Sequence, residues 1–379
     1  MKKTDISVIC PLYRGQEYID AILEMLYRNQ EKLAEAGKQK VIEVIFVNDY
    51  PQEKISLPQS QREDLKMKLL EPGKNQGIHR SRVLGVEQAE GEYILFLDQD
   101  DRIREDFLKS QLFHMDGTAA VLCNGYYQNN RIIYSSREEQ ENAAYLSEYL
   151  KQKNVIISPG QVLLRTESIP EEWKHNCLCQ NGSDDVLLWI LMLVRNKKFA
   201  LNEEKLFWHM ESDSNASYQF EKMQKSIEEL LERVLKLDCL TAEQKGVFNG
   251  ATERRLARYD RYVALQSVIE TLADRKNLSR LREYIGSKHA AVYGWGIFGR
   301  EFWKLAQKAG IDICFGIDAG KATFLKPEIP LYSPQEDLPQ ADIIIVTPVT
   351  GVQEIKALLE KKCQAEIVSL SEFLERIGM

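Results

Sequence analysis

The sequence predicts an α/β protein in two sheet-containing parts joined by a helical stretch, and three observations carry that prediction. Through the first half, short apolar runs at residues 6–10, 41–47, 67–70 and 93–97 alternate with helix-spaced patterns, as in a largely parallel sheet with helices on its faces. From residue 218 to about 281 the chain becomes charged and strand-poor, with Ile227, Leu230, Leu231 and Val234 at helical spacing. From Lys288 the strand–helix alternation returns. The expected divisions are therefore residues 1–217, a helical linker over 218–285, and a second α/β domain over 286–379.

The totals bound what such a chain can do. At 379 residues, two domains are the prior, and 44% hydrophobic with 28% charged residues suits globular cores. A net charge of −7 argues against a nucleic-acid binder. No apolar run approaches the roughly 20 residues needed to span a bilayer. MKKTDISVICPLY has a basic beginning but no h-region or small-residue cleavage site, and Ser7 to Cys10 reads as strand. The 7 cysteines are scattered, with only the C-x-C of Cys177 and Cys179 close together. That usage suits a reducing cytoplasm.

Taken in order, Ile6 to Cys10 is a strand ended by Pro11, followed by a helix with Ile19, Ile22, Leu23, Leu26 and Tyr27 on one face. Val41 to Val47 is a buried strand that ends at Asn48, Asp49, Tyr50 and Pro51. Met67 to Leu70 reads as an edge strand, PGKNQG as a loop, and Ile78 to Ala89 as a helix closed by Gly91. Tyr93 to Leu97 is a buried strand running directly into Asp98, Gln99, Asp100 and Asp101. Carboxylates at the end of a buried strand need a cationic partner, and strand ends are where open α/β sheets hold ligands. Hard divalent cations are commonly held by one or two carboxylates plus phosphate oxygens, so a Mg²⁺ or Mn²⁺ site presenting a diphosphate is one reading. A solvated loop or helix N-cap is the other. Two strand ends carrying acids, at Asp49 and Asp98, favour a ligand site.

Four segments in this order and spacing, SVICPLYRGQEYI, VIFVNDYPQE, KNQGIHRSR and GEYILFLDQDD, resemble family-2 glycosyltransferases of the GT-A fold over about Ile6 to Ser217. The resemblance implies that Pro11 and Tyr13 lie beside the nucleotide and that Asp49 contacts its base, with Asn48 replacing the usual first acid. It makes Arg82 a nucleotide-side contact, with Val83 where Asn is usual. Asp98, Asp100 and Asp101 become the DxD element, one acid touching ribose and Asp100 or its neighbour binding metal. Ala119 to Tyr127 and VLLR after Ser158-Pro159-Gly160-Gln161 read as further strands, with acceptor specificity expected around Asn124 to Tyr127 and Gln161. Asp184 and Asp185 open a strongly apolar helix, where the helix dipole alone would favour acids. By family register, Asp185 is the base that deprotonates the acceptor hydroxyl and Asp184 replaces the family's Glu. LFWHMESDSNAS resembles a segment that closes over the nucleotide, which gives His209 a metal or diphosphate contact; a packed histidine is the plainer reading. The function implied is an inverting, metal-dependent transfer from a nucleotide sugar, UDP-linked by expectation, to a glycan or lipid-linked acceptor in surface or capsular polysaccharide synthesis.

The second helix of the linker carries Arg254, Arg255, Arg258 and Arg261, either a solvated face or a contact for anionic lipid at the inner face of the membrane. Helix breaks are expected near Leu240-Thr241 or Asn249-Gly250. In the tail, a strand leads into Gly294-x-Gly296-x-x-Gly299 and a helix, and Ile313 to Ile317 ends at Asp318. This is the dinucleotide fingerprint in its proper context, on a Rossmann-like unit about half the size of a two-mononucleotide domain with its six strands. The glycines serve either tight packing or a nucleotide such as NAD(P). The absence of hydride-transfer residues argues against a dehydrogenase, leaving a nucleotide sensor or scaffold as the alternative function. The linker and the tail also offer surfaces for pairing copies of the chain.

Overall fold

The computed structural model describes residues 4–38, 40–58, 64–210, 219–321, 324 and 327–378. Two compact units result, Met1–Leu256 and Ala257–Met379. The division falls within a helix, at neither 217/218 nor 285/286.

In the first unit, β1 (Ile6–Leu12), β2 (Ile42–Asn48), β3 (Leu65–Leu70), β4 (Tyr93–Phe96), β5 (Arg102–Ile103), β6 (Ala120–Tyr127), β7 (Val162–Arg165) and β8 (Phe199–His209) form one sheet. Its order is β3-β2-β1-β4-β7-β6-β8-β5. The first four positions in that order are parallel. β7 is antiparallel to both β4 and β6, and β8 runs parallel to β6. β3 is an edge strand, as its mixed Lys-Met-Lys pattern suggested. β8 went unrecognised because Asn202, Glu203, Glu204 and Lys205 interrupt its apolar pattern at the sheet margin.

The helices are α1 (Ile19–Glu35), α2 (Ile78–Gln88), α3 (Phe107–Phe113), α4 (Arg137–Glu141), α5 (Leu146–Leu150), α6 (Glu171–His175), α7 (Asp184–Val194), α8 (Phe220–Leu235) and α9 (Ala242–Leu272). Ile19, Ile22, Leu23 and Leu26 bury one face of α1, while α7 buries an almost continuous run from Leu187 to Met192. Leu230 and Val234 of α8 and Phe248 of α9 join the same core as the sheet. Residues 220–256 therefore belong to the first unit. Asn249 and Gly250 lie inside α9. A helical Gly costs about 1 kcal/mol relative to Ala, which burial of Phe248, Ala251 and Thr252 outweighs.

The second unit has α10 (Arg275–Ile285), β9 (Ala290–Tyr293), α11 (Ile297–Lys308), β10 (Ile313–Ile317), β11 (Leu331–Tyr332), β12 (Ile343–Val346), α12 (Val352–Glu360), β13 (Glu366–Ser369) and α13 (Leu370–Arg376). Its sheet is wholly parallel in the order β11-β10-β9-β12-β13. That is the doubly wound sequence 3-2-1-4-5, one strand short of the full arrangement. The short β11 and the polar margin of β13 kept these two strands out of the sequence pattern. No helix among the described residues is long and apolar enough to cross a membrane. Arg254, Arg258 and Arg261 are exposed, while Arg255 donates to Gln152 Oε1 at 2.7 Å.

Candidate active site

Parallel pairing aligns the C-terminal ends of β1, β2 and β4, and the acids follow from that register. Asp49 N donates to Leu12 O at 2.8 Å and Leu97 N to Ile9 O at 3.0 Å. Pro11 is half-buried at the end of β1, opposite Val47. Beyond it, the Tyr13 N–H donates to Gln99 Oε1 at 2.9 Å, and Gln99 Nε2 donates back to Tyr13 O at 3.1 Å. This amide pair ties the β1 and β4 exits together. The exposed Tyr13 ring meets Tyr50 edge-on at 5.0 Å, with the Arg14 guanidinium 4.9 Å from the Tyr50 ring centroid.

Asp49 is buried, and both its oxygens face the chain's own backbone. Oδ1 accepts from Gln76 N at 2.7 Å and Oδ2 from Gly77 N at 3.0 Å. Burial raises its pKa, and the two N–H groups oppose that rise. Gly77 has φ +82°, and a Cβ there would lie 2.9 Å from Asn181 Oδ1. The same Asn181 oxygen accepts from Ile78 N at 2.9 Å. Asp49 and Asn181 together therefore satisfy donors at the entry to α2. These contacts shape the loop that leads into α2.

Arg82 is 3% exposed and joins two acids far apart in sequence. Nη1 donates to Asp184 Oδ2 at 2.7 Å and Nη2 to Asp98 Oδ1 at 2.5 Å. Guanidinium geometry suits this buried fork, which ties the end of β4 to the start of α7. Burial would raise the Asp184 pKa, but Arg82 and His79 hold it below the ordinary value. His79 is itself fixed, with Leu178 N donating to Nδ1 at 2.9 Å and Nε2 lying 3.0 Å from Trp173 O. Burial pushes its pKa down, so a neutral imidazole with Nε2 protonated fits both contacts. Trp173 Nε1 also donates to Asp184 O at 2.8 Å, bracing the start of α7.

Asp185 is half-buried, and Val186 N donates to its Oδ1 at 2.7 Å. Burial and then the adjacent Asp184 charge push its pKa up to about 7, against the pull of Arg82. A carboxylate with that affinity can take a proton near neutral pH.

Asp100 has its pKa pushed up to about 6 by burial and by the neighbouring Asp101 and Asp98 charges. Arg102 Nη1 donates to the carbonyls of Asp100 at 2.7 Å and Asp101 at 2.9 Å, holding the loop but leaving the Asp100 carboxylate uncompensated. Asp101 is 1% exposed, and burial raises its pKa. Ser158 Oγ donates to its Oδ2 at 2.7 Å, while Met210 N donates to Oδ1 and His209 Nδ1 lies beside it, both at 3.1 Å.

The four expected metal ligands thus gather in one region without forming a ready-made cage. No group of three or more His, Cys, Asp or Glu among the described residues is placed to hold an ion. Asp98 is engaged by Arg82, and Asp101 by Ser158, His209 and Met210. Asp100 fits a divalent cation that draws its remaining ligands from phosphate and water, as Mg²⁺ commonly does. Of the segment expected to close over the nucleotide, residues 206–217, the structure describes 206–210, and 211–217 lie outside the described residues. Asn124 and Gln161 are buried and donate to backbone carbonyls, Tyr134 O and Cys123 O respectively.

Residues 7–185 match the family described as Glycosyl transferase family 2. The match covers just under half of the chain and takes in Asp49, Asp98 and Asp185. An uncharacterized glycosyltransferase of Haemophilus influenzae is 33% identical over 125 residues, 32% of this chain and 46% of its own. The putative glycosyltransferase EpsH of Bacillus subtilis is 34% identical over 129 residues, 33% of this chain and 34% of its own. Staphylococcus aureus TarS residues 1–349, solved in complex with UDP-GlcNAc, aligns at TM-score 0.46 and 19% identity, covering 67% of this chain and 73% of that one. The chain spans less than half the length of these two curated relatives. The sequence patterns missed Gln99, Arg102, Trp173 and Asn181, which support the domain's site through backbone contacts that leave no motif.

In the second unit, the fingerprint forms the turn between β9 and α11. A Cβ on Gly299 would lie 1.9 Å from Gly294 O, so close approach of helix to turn requires a glycine there. A Cβ on Gly294 would meet Pro348 at 2.7 Å, whereas one on Gly296 would meet nothing within 4 Å. Asp318 Oδ2 accepts from Trp295 N at 2.7 Å and Oδ1 from Gly320 N at 2.6 Å. Packing thus accounts for Gly294 and Gly299, and Asp318 uses both oxygens to fix the local backbone rather than to meet a ribose. The fit to NAD(P) is poor on the acid that should select it. Gly299→Ala is expected to destabilise this unit by about 1–3 kcal/mol through overpacking. Gly296→Ala should leave its unfolding transition in place, and differential scanning calorimetry of the full chain compares the two.

Proposed function

We propose that the chain is an inverting, metal-dependent glycosyltransferase that moves a sugar from a nucleotide diphosphate, with UDP the expected nucleotide, to a hydroxyl of a glycan or lipid-linked acceptor in surface polysaccharide synthesis. The observation that carries the reading is the buried fork of Arg82, which links the acid at the end of β4 to the acid beside Asp185. The donor-side and acceptor-side acids are thereby parts of one constellation. The family domain and the named glycosyltransferase relatives support the same chemistry.

In this mechanism the acceptor oxygen attacks the anomeric carbon as the bond from that carbon to the diphosphate oxygen breaks. The acceptor proton passes to a carboxylate oxygen of Asp185, and the bonding electron pair leaves with the diphosphate. Attack from the side opposite the leaving group inverts the configuration. Asp184, held ionised by Arg82, keeps the Asp185 proton affinity high. A divalent cation at Asp100 supplies Lewis-acid stabilisation of diphosphate charge. The open aromatic pair Tyr13 and Tyr50 offers faces for a base or sugar beside the β1 exit.

A screen of UDP- and GDP-sugars with Mn²⁺, reading released nucleoside diphosphate, tests the reading. Metal-dependent release from at least one donor is expected, and release from none would overturn it. Asp100→Asn gives an independent readout in thermal unfolding. A carboxylate whose folded pKa is raised binds its proton more tightly when folded, so stability is lost as pH rises from about 4 through about 6. Asp100→Asn should therefore match the wild type near pH 4 and be more stable by roughly 1–2 kcal/mol at pH 7.5 after allowance for solvent screening. Mn²⁺ should stabilise the wild type and leave the variant unchanged, because binding to the native state raises apparent stability. The alternative of a nucleotide sensor would require thermal stabilisation by NAD(H) in place of UDP with Mn²⁺.

A further inference from the structure

Two cavities of about 620 and 380 Å³ lie along the β8 margin of the first unit and share Glu204 as a wall. The larger is lined by Tyr126, Trp208 and Lys205, and the smaller by Lys109 and Phe113. Successive strand residues face opposite sides of a sheet, and β8 uses that alternation here. Phe207 and His209 stack at 6.5 Å, and His209 turns to Asp101. Trp208, between them, instead stacks on its register partner Tyr126 at 5.6 Å and 27°. The two aromatic rings therefore lie on the sheet face opposite His209.

We propose that these two cavities on either side of Glu204 bind an uncharged stretch of glycan chain, as a carbohydrate site separate from the reacting centre. A sugar ring presents an apolar C–H face and a rim of hydroxyls, so it needs flat aromatic surface beside polar groups already held in place. Trp208 and Tyr126 supply that surface at one end, and Phe113, 77% exposed, supplies it at the other. Between them, Glu204 accepts from Arg104 Nη2 at 2.6 Å and from Ser110 Oγ at 2.7 Å, which fixes its carboxylate as a hydroxyl acceptor. The Lys205 ammonium makes no hydrogen bond or ion pair among the described residues and can donate to a hydroxyl, while its carbonyl accepts from Arg104 Nη1 at 3.4 Å. Acids and bases alternate along the walls, with Glu203, Glu204 and Asp106 set against Arg104, Lys109 and Lys205. Such a surface provides no uniform field for a nucleic acid or another polyanion. Aromatic rings in both of the cavities that share Glu204 suit a chain of sugar units better than a single one.

Titration of the full-length protein with cellohexaose and chitohexaose, followed by calorimetry and tryptophan fluorescence, tests this site. Saturable binding of at least one hexasaccharide is expected, weakened tenfold or more in Trp208→Ala and in Phe113→Ala. Should Trp208→Ala lose its native circular dichroism, Trp208→Phe and Lys205→Met provide the comparison. Donor hydrolysis, assayed in parallel as nucleoside diphosphate release into water, should be unchanged in these variants. Failure of both sugars to bind more tightly than about 5 mM, or equal binding by the variants, overturns the site. So does loss of self-association in Trp208→Ala with no sugar binding, which would make the surface a protein interface. Sugar binding by a wild type that turns over no donor would leave this site standing and overturn only the transferase reading.

Discussion

Asp185→Asn is expected to retain nucleotide-sugar binding while sugar transfer falls by about 10²–10⁴-fold. Asparagine keeps the shape of the side chain and can still accept from Val186 N, as Asp185 Oδ1 does at 2.7 Å. It removes only the capacity to take a proton. The wild-type rate should carry the signature of that capacity. Burial and the Asp184 charge push the Asp185 pKa up to about 7, and a base works only when ionised. Transfer should therefore increase as pH rises through about 7 and level off above it, while the residual rate of Asp185→Asn shows no such step. Asp184→Asn removes the charge that contributes to the high proton affinity of Asp185, so its step should move to lower pH. Initial rates from pH 5.5 to 9 at saturating donor, paired with calorimetric donor affinity, check all three. A wild-type profile flat across pH 7, or a variant that loses donor affinity in proportion to rate, would remove Asp185 from the role of base.

The parts of this architecture that were legible in the sequence are those in which local pattern and tertiary demand agree. Val44 to Val47 and Ile94 to Leu97 are buried whatever the register, and their apolar runs announced it. The acids at Asp49, Asp98 and Asp185 were visible because they interrupt or border such runs. Which partner each acid takes was not visible. Asp49 could have met a ligand, but its side chain comes within reach of Gln76 N and Gly77 N only once β2 and the loop before α2 are side by side. Arg82 was legible as a site residue through the family segment, but its burial was not. That burial depends on Asp98 and Asp184, which are 16 and 102 residues away in sequence. At β8 the local pattern and the tertiary role diverge. Its Asn202-Glu203-Glu204-Lys205 run breaks the apolar pattern, yet all four residues lie within the strand. Asn249-Gly250 reads as a helix end, yet neighbouring buried side chains carry α9 through it.

Arg82→Met is expected to cost about 3–5 kcal/mol of stability in the first unit, because it strands buried charge. Asp184 is 2% exposed, with a pKa held below the ordinary carboxylate value by Arg82 and His79 against the upward push of burial. Without the guanidinium, His79 is a weak substitute, since its own burial favours the neutral ring. The carboxylate must then protonate or draw water into the core. A depressed carboxylate pKa contributes stability that is present above the unfolded value and lost as pH falls through the folded one. The deficit of Arg82→Met should therefore be full at pH 7 and shrink toward pH 3, where the wild type also loses its ion pair. Urea unfolding at several pH values measures this directly. Arg82→Lys should recover only part of the loss, because one ammonium cannot reproduce two separate guanidinium contacts at 2.7 and 2.5 Å. Adding Asp184→Asn to Arg82→Met should restore much of the stability at pH 7 by removing the stranded charge. The double variant should nevertheless transfer sugar poorly, since nothing then links Asp98 to the start of α7. Equal losses in Arg82→Met and the double variant would show that the cost lies in side-chain packing, and that the fork holds no charge balance between the two acids.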